Sequence, residues 1–153
     1  MDQLDQTDIT LLKILSNNSS QTIKELAAQV NLSASPVLQR IKKLESNGFI
    51  KKYVAVLDPE KFSQGFIVFC NIRLKQHDRT IGHKFVEDIM KIDEVVECYN
   101  VSGDYDFILK VLARDMKHYQ EFVFNKLGSV ESIGSTHSTF VMAEIKNMHN
   151  IML

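Results

Sequence analysis

Thr22-Ile23-Lys24-Glu25-Leu26-Ala27-Ala28-Gln29-Val30-Asn31-Leu32-Ser33-Ala34-Ser35-Pro36-Val37-Leu38-Gln39-Arg40-Ile41-Lys42-Lys43-Leu44 decides the fold of the first third of the chain. Thr22 followed three residues later by Glu25 is a capping box, so a short helix starts here. Ile23, Leu26, Ala27 and Val30 fall on one side of it. Asn31-Leu32-Ser33 is a short turn with one apolar plug, and another helix begins at Ser33. Pro36 lies in its first turn, where no N–H is needed, and the helix ends before Gly48. Two helices joined by about three or four residues form a helix-turn-helix. Ala27 is the small side chain that lets them cross closely.

The second of these helices has two distinct faces. Val37, Ile41 and Leu44 share one. At about 100° per residue, Ser35, Gln39, Lys42, Lys43 and Ser46 point broadly the other way. Arg40 lies on the flank, roughly 80° from the apolar centre, where its stem covers the core edge and its head can reach a phosphate. Lys and Arg supply phosphate contacts, and Gln39 can read a base edge. The expected DNA-binding set is Ser33, Ser35, Gln39, Arg40, Lys42 and Lys43, and the expected partner is double-stranded DNA. The alternative is an amphipathic helix whose basic face is merely solvated, or one that binds protein. The capping box, the short turn and the local charge favour DNA.

Upstream, Asp5 or Thr7 caps a first helix carrying Ile9, Leu11, Leu12 and Leu15, which the polar run Asn17-Asn18-Ser19-Ser20 stops. Downstream, Phe49-Ile50-Lys51-Lys52-Tyr53-Val54-Ala55-Val56-Leu57 reads as extended structure, with Lys51-Lys52 giving a small basic wing. Asp58-Pro59 breaks it. The expected organisation is a winged helix-turn-helix domain over 1–53, a linker over 54–65 and a second domain over 66–153.

Charge separates along the same division. Between 33 and 53, Arg40, Lys42, Lys43, Lys51 and Lys52 oppose only Glu45, a local net of +4. Between 87 and 106, Glu87, Asp88, Asp93, Glu94, Glu97, Asp104 and Asp106 oppose only Lys91, a local net of −6. The 153-residue chain carries −1 overall, which argues against coating nucleic acid by bulk charge and leaves a local basic surface.

In the second part, Phe66, Val68, Cys70, Ile72 and Leu74 alternate on one face of a strand. Ile81, Phe85 and Ile89 predict a helix over 80–91. Val95 to Val101 is a second strand, joined by Ser102-Gly103-Asp104-Tyr105-Asp106 to a third, Phe107 to Ala113. Asp115 caps a helix with Met116, Tyr119, Val123 and Leu127 inward, ended by Gly128. Ser138 to Ile145 is the fourth strand. The order βαββαβ is the ferredoxin-like split unit, which makes the fold class α+β. Ile67, Phe69 and positions on the third and fourth strands leave the second sheet face apolar too, and a second copy's sheet is the simplest cover.

Both parts together resemble the Lrp/AsnC transcription regulators over nearly the whole chain. Leu4-Asp5-Gln6-Thr7-Asp8-Ile9-Thr10-Leu11-Leu12 resembles the family's opening LDxxDxxIL. Glu25-Leu26-Ala27 and Leu32 to Glu45 resemble its helix-turn-helix. Gly48-Phe49-Ile50 and Leu57-Asp58-Pro59 match the segment that follows. Val101-Ser102-Gly103-Asp104-Tyr105-Asp106-Phe107 resembles its ligand-loop signature. One departure is Asn18-Ser19-Ser20, where the family often has Ala-Arg. The resemblance implies homodimers built through the C-terminal sheets, assembled further into octamers, and a small-molecule effector, usually an amino acid, near Gly103, Asp104, Tyr105 and Asp106. The chemistry fits: Asp104 or Asp106 supplies an anion for an ammonium, and N–H groups of the turn supply donors for a carboxylate. The plainer reading is a hairpin turn whose Asp residues bond their own backbone.

No nucleotide-binding, zinc-protease or serine-hydrolase motif is present, so no enzyme, metal or cofactor is expected. His77, His83, His118, His137 and His149 are scattered. Cys70 and Cys98 form no CxxC and read as lone thiols. No apolar run approaches the roughly 18 residues of a membrane span, and Met1-Asp2-Gln3-Leu4-Asp5 lacks a signal-peptide pattern, which points to the cytoplasm.

Overall fold

Helix α1, Gln6–Asn17, begins on Asp5, whose side chain accepts from Asp8 N while Asp8 accepts from Asp5 N. Of the two candidate caps, Asp5 is the one used. Helix α2, Ile23–Gln29, starts with the expected Thr22–Glu25 capping box. Asn31 takes a left-handed φ of 54° in the turn, which Asn tolerates through its short polar side chain. Helix α3, Ala34–Ser46, follows with Ser33 as N-cap. It closes on Gly48 at φ 76°, with Gly48 N donating to Glu45 O and Phe49 N to Leu44 O. This is a Schellman ending, which needs glycine's freedom. Leu11, Leu26, Ala27, Val37 and Ile41 form the core, flanked by Ile14, Leu15, Ile23 and Val30. Leu32, the expected plug, is 39% exposed.

The computed structural model describes residues 4–76 and 78–147. Expectations for Met1-Asp2-Gln3, His77 and His149 lie outside those residues. One compact unit runs to Val56 and takes in the described residues beyond Glu144; the other is Leu57–Glu144. Residues 49–57 form no strand. The expected basic wing is an irregular segment that joins no sheet among the described residues.

In the second unit, strands β1 Phe66–Leu74, β2 Val95–Asn100, β3 Phe107–Ala113 and β4 Ile133–Phe140 and helices α4 Arg79–Ile89 and α5 Met116–Asn125 follow the order βαββαβ. The sheet order is β2-β3-β1-β4, and its paired strands are antiparallel. Asp78 and Asp115 cap the two helices. One face buries Val68, Cys70, Ile72, Phe107, Leu109 and Val111 against Phe85, Ile89, Tyr119 and Phe122. At about 1.5–3 kcal/mol for each large apolar side chain, this core dominates the unit's stability.

Two expectations need correction. The fourth strand lies five residues earlier than Ser138–Ile145, because β1 pairs from Leu74↔Ile133 to Val68↔Phe140. The edge position lets Thr136 and Thr139 face solvent. Gly134 also fits there alone, since a Cβ would meet Leu74 O at 3.0 Å. On α5, Met116 is 45% exposed and Phe122 takes the inward position.

Candidate functional site

The α3 surface separates the six expected DNA-binding residues. Ser33, Ser35, Gln39, Lys42 and Lys43 are exposed. Arg40 is engaged within the domain: its Nη1 lies 2.7 Å from Asp5 Oδ2 and 2.7 Å from Asp8 Oδ1. Both acids hold its guanidinium further in the charged state than usual, Asp8 more than Asp5. Beyond the helix, Tyr53 Oη donates to Glu45 Oε1 at 2.8 Å. That bond places Lys51 and Lys52 next to the end of α3. Partial burial first, and the Glu45 carboxylate second, push the Tyr53 phenol up to about 12. Sequence reading missed the Asp5–Asp8–Arg40 cluster, although all three residues stood in it; their separation in the chain hid the contact.

The β2–β3 loop is built differently from an ordinary turn. Gly103 has φ 132°, a region that favours glycine. Arg73, projecting from β1, donates Nε and Nη2 to Asp104 O at 3.0 and 2.6 Å. The same guanidinium lies 5.9 Å over the Tyr105 ring, which stacks on His137 at 6.3 Å. Asp106 Oδ2 accepts from Leu74 N at 2.7 Å, while Asp106 N donates to Ile72 O. The two acids therefore differ. Asp106 fastens the loop to β1, and Asp104 presents its carboxylate to solvent. The amides of Gly103, Asp104 and Tyr105 donate to no backbone oxygen among the described residues. A solvent-facing carboxylate beside free amides matches the two ends of a zwitterion. Arg73 and His137 were not expected here. Arg73's charge at an outward strand position was the available signal.

A larger cleft of about 340 Å³ lies elsewhere, lined by Asp88, Lys91, Asn125, Lys126 and Ser129. Its charges are already matched, Lys91 with Asp88 at 3.4 Å and Lys126 with Glu94 at 2.6 Å. Among the described residues no group of three or more His, Cys, Asp or Glu could hold a metal ion, and no helix is long and apolar enough to cross a membrane.

Comparison with known proteins agrees with both halves. The profile of the Lrp/AsnC ligand binding domain matches residues 67–151, and that of a winged helix-turn-helix DNA-binding domain matches residues 4–51. The DNA-binding transcriptional activator DecR of Escherichia coli (strain K12) is 34% identical over 143 residues, 94% of this chain and 94% of that protein. The leucine-responsive regulatory protein of Klebsiella pneumoniae is 31% identical over 150 residues, covering 98% of this chain and 92% of its own. Among solved structures, the transcriptional regulator NMB0573 from Neisseria meningitidis, in complex with L-Met, superposes with a TM-score of 0.94 at 33% identity. That match covers 98% of this chain and 97% of the other. A helix-turn-helix with a basic exposed face, a ferredoxin-like domain and these likenesses together make the chain a member of the Lrp/AsnC family of DNA-binding transcriptional regulators, which are not enzymes.

Proposed function

We propose that the protein regulates transcription in response to an amino acid. Residues 1–53 read DNA, 54–65 link, and 66–153 sense and assemble. The observation that carries this is the exposed α3 face with Ser33, Ser35, Gln39, Lys42 and Lys43. Gln39 reads a base edge and the lysines meet phosphates. The effector enters at Gly103 to Asp106, its ammonium on Asp104 and its carboxylate on the loop amides. The L-Met bound to the Neisseria regulator supports an amino acid as the ligand class. The half-buried apolar outer face of the sheet supports a homodimer, assembled further to an octamer. A DNA target puts the site of action in the cytoplasm.

The test is a gel-shift titration on genomic fragments with and without pooled amino acids, followed by variants. Lys42→Ala should weaken binding to all sequences alike and lower the salt slope by about one unit. Gln39→Ala should change base preference at one position of each half-site. If both variants bind the wild-type site unchanged across a salt series, α3 is not the reader.

A further inference from the structure

Arg40 is a basic residue of α3 whose head is turned back into its own domain. Its stem is partly covered, with 34% of the side chain exposed. Its Nη1 bridges two carboxylates that are themselves locked together. Asp5 Oδ1 accepts from Asp8 N at 2.8 Å and its Oδ2 from Arg40, while Asp8 Oδ2 accepts from Asp5 N at 3.2 Å and its Oδ1 from Arg40. All four carboxylate oxygens are thus engaged in one ring of bonds that joins the start of α1 to the middle of α3.

We infer that Arg40 is a positioning residue, which sets the recognition helix on α1 through Asp5 and Asp8 and makes no phosphate contact. Three further observations support this. The crevice beside it, lined by Leu4, Asp8, Arg40, Lys43, Leu44, Asn47 and Phe49, has a volume of about 20 Å³, room for about one water and not for a phosphate. Two carboxylates meet the single charge of Arg40, so its guanidinium has no unmatched positive charge to offer a nucleic-acid backbone. The apolar core of this domain is small, seven buried side chains among the described residues. With so little apolar burial, the angle of α3 depends on polar fastenings at its edge. The Asp8 N–H first, and the Arg40 guanidinium second, hold the Asp5 carboxyl below its ordinary range, consistent with a charge built into the helix cap.

The inference rests on the DNA-binding reading for its function, and the experiment separates the two. The variants are Arg40→Ala, the pair Asp5→Asn/Asp8→Asn, and all three together, in the full chain. Asn keeps a good N-cap while removing the charge. Two readouts are taken: the thermal midpoint, and affinity for a duplex selected by the wild type against a random duplex over a salt series. Positioning predicts that each variant lowers the midpoint by about 2–4 °C and that the combined variant falls no further than either alone. It also predicts a drop of about three- to tenfold in the specific-to-random ratio with an unchanged salt slope on random DNA. A phosphate contact predicts a slope about one unit lower for Arg40→Ala, with tighter binding once the two acids are neutralised and Arg40 is released. That result, or strictly additive midpoints, overturns the inference. A wild type that binds no duplex sinks the DNA-binding reading instead, and the midpoints still decide whether Arg40 fastens α3.

Discussion

Tyr53 shows how one side chain can fix a basic segment that has no secondary structure. Its hydroxyl donates to Glu45 near the end of α3, so the position of Lys51 and Lys52 depends on a proton. The phenol's folded-state value, about 12, lies above its ordinary 10.0. A raised value means the protonated form is favoured by folding. Its contribution is complete below about pH 10 and is lost as pH rises through 12. Between those limits the wild type should lose more thermal stability than Tyr53→Phe, which has no proton to lose. Unfolding midpoints of the two proteins at pH 9 and 11.5 check this; equal losses would mean the Glu45 bond is absent in solution. The same scale explains what sequence reading saw of Arg40. The helical period placed it on the flank of α3 correctly. The partner of its head lies 32 and 35 residues earlier, and periodicity carries no information across that distance.

At the scale of elements, the signals that were local were legible. Thr22 and Glu25 are adjacent on the helix they start, and β1 announces itself by alternation because one of its faces is buried and the other is not. The fourth strand was misplaced for the opposite reason. As an edge strand it buries almost nothing, so Ser135 to Thr139 show no apolar rhythm, while the apolar Met142 and Ile145 beyond it are exposed. The β2–β3 loop divides likewise. Its turn chemistry was visible, but whether Asp104 or Asp106 is available to a ligand depends on Leu74 N, 32 residues away. That contact makes the two acids separable by mutation. Asp106→Ala should lower stability by about 1–2 kcal/mol by leaving the Leu74 amide without its carboxylate. Asp104→Ala should leave stability unchanged and weaken effector binding roughly ten- to a hundredfold, the effect of losing a charge-assisted hydrogen bond of about 1.5–3 kcal/mol. Calorimetry against an amino-acid panel, with denaturant melts of both variants, tests the division. Reversed roles, with Asp106→Ala stable and blind to ligand, would move the ammonium site to Asp106.

For the whole molecule, the sheet surface away from the helices has one strong consequence. The register lines up Ile67 with Leu112, Phe69 with Lys110, and Tyr99 with Ile108 on that surface. The apolar members keep only intermediate cover or, for Tyr99, 53% exposure. Lys110 is neutralised by Glu97 at 3.1 Å, so the charge in the middle of this face is paired and does not oppose association. A second sheet laid on it buries Ile67, Phe69, Ile108 and Leu112 at about 25 cal/mol per Å². The full chain should therefore sediment as a dimer or larger at micromolar concentration. Phe69→Glu sets a second carboxylate beside the Lys110–Glu97 pair and leaves a net negative charge in the middle of the proposed contact, yet Phe69 is outside the helix-side core, so the fold should survive by circular dichroism while the assembly dissociates. Dissociation has a second readout in DNA binding. A dimer presents two copies of α3 to half-sites about 34 Å apart or a multiple of that, and joining two half-site contacts in one particle raises affinity by about 10²–10⁴. Phe69→Glu should lose most of that gain on a palindromic site and almost nothing on a single half-site. A variant that sediments and binds both duplexes as the wild type does would place the interface on another surface.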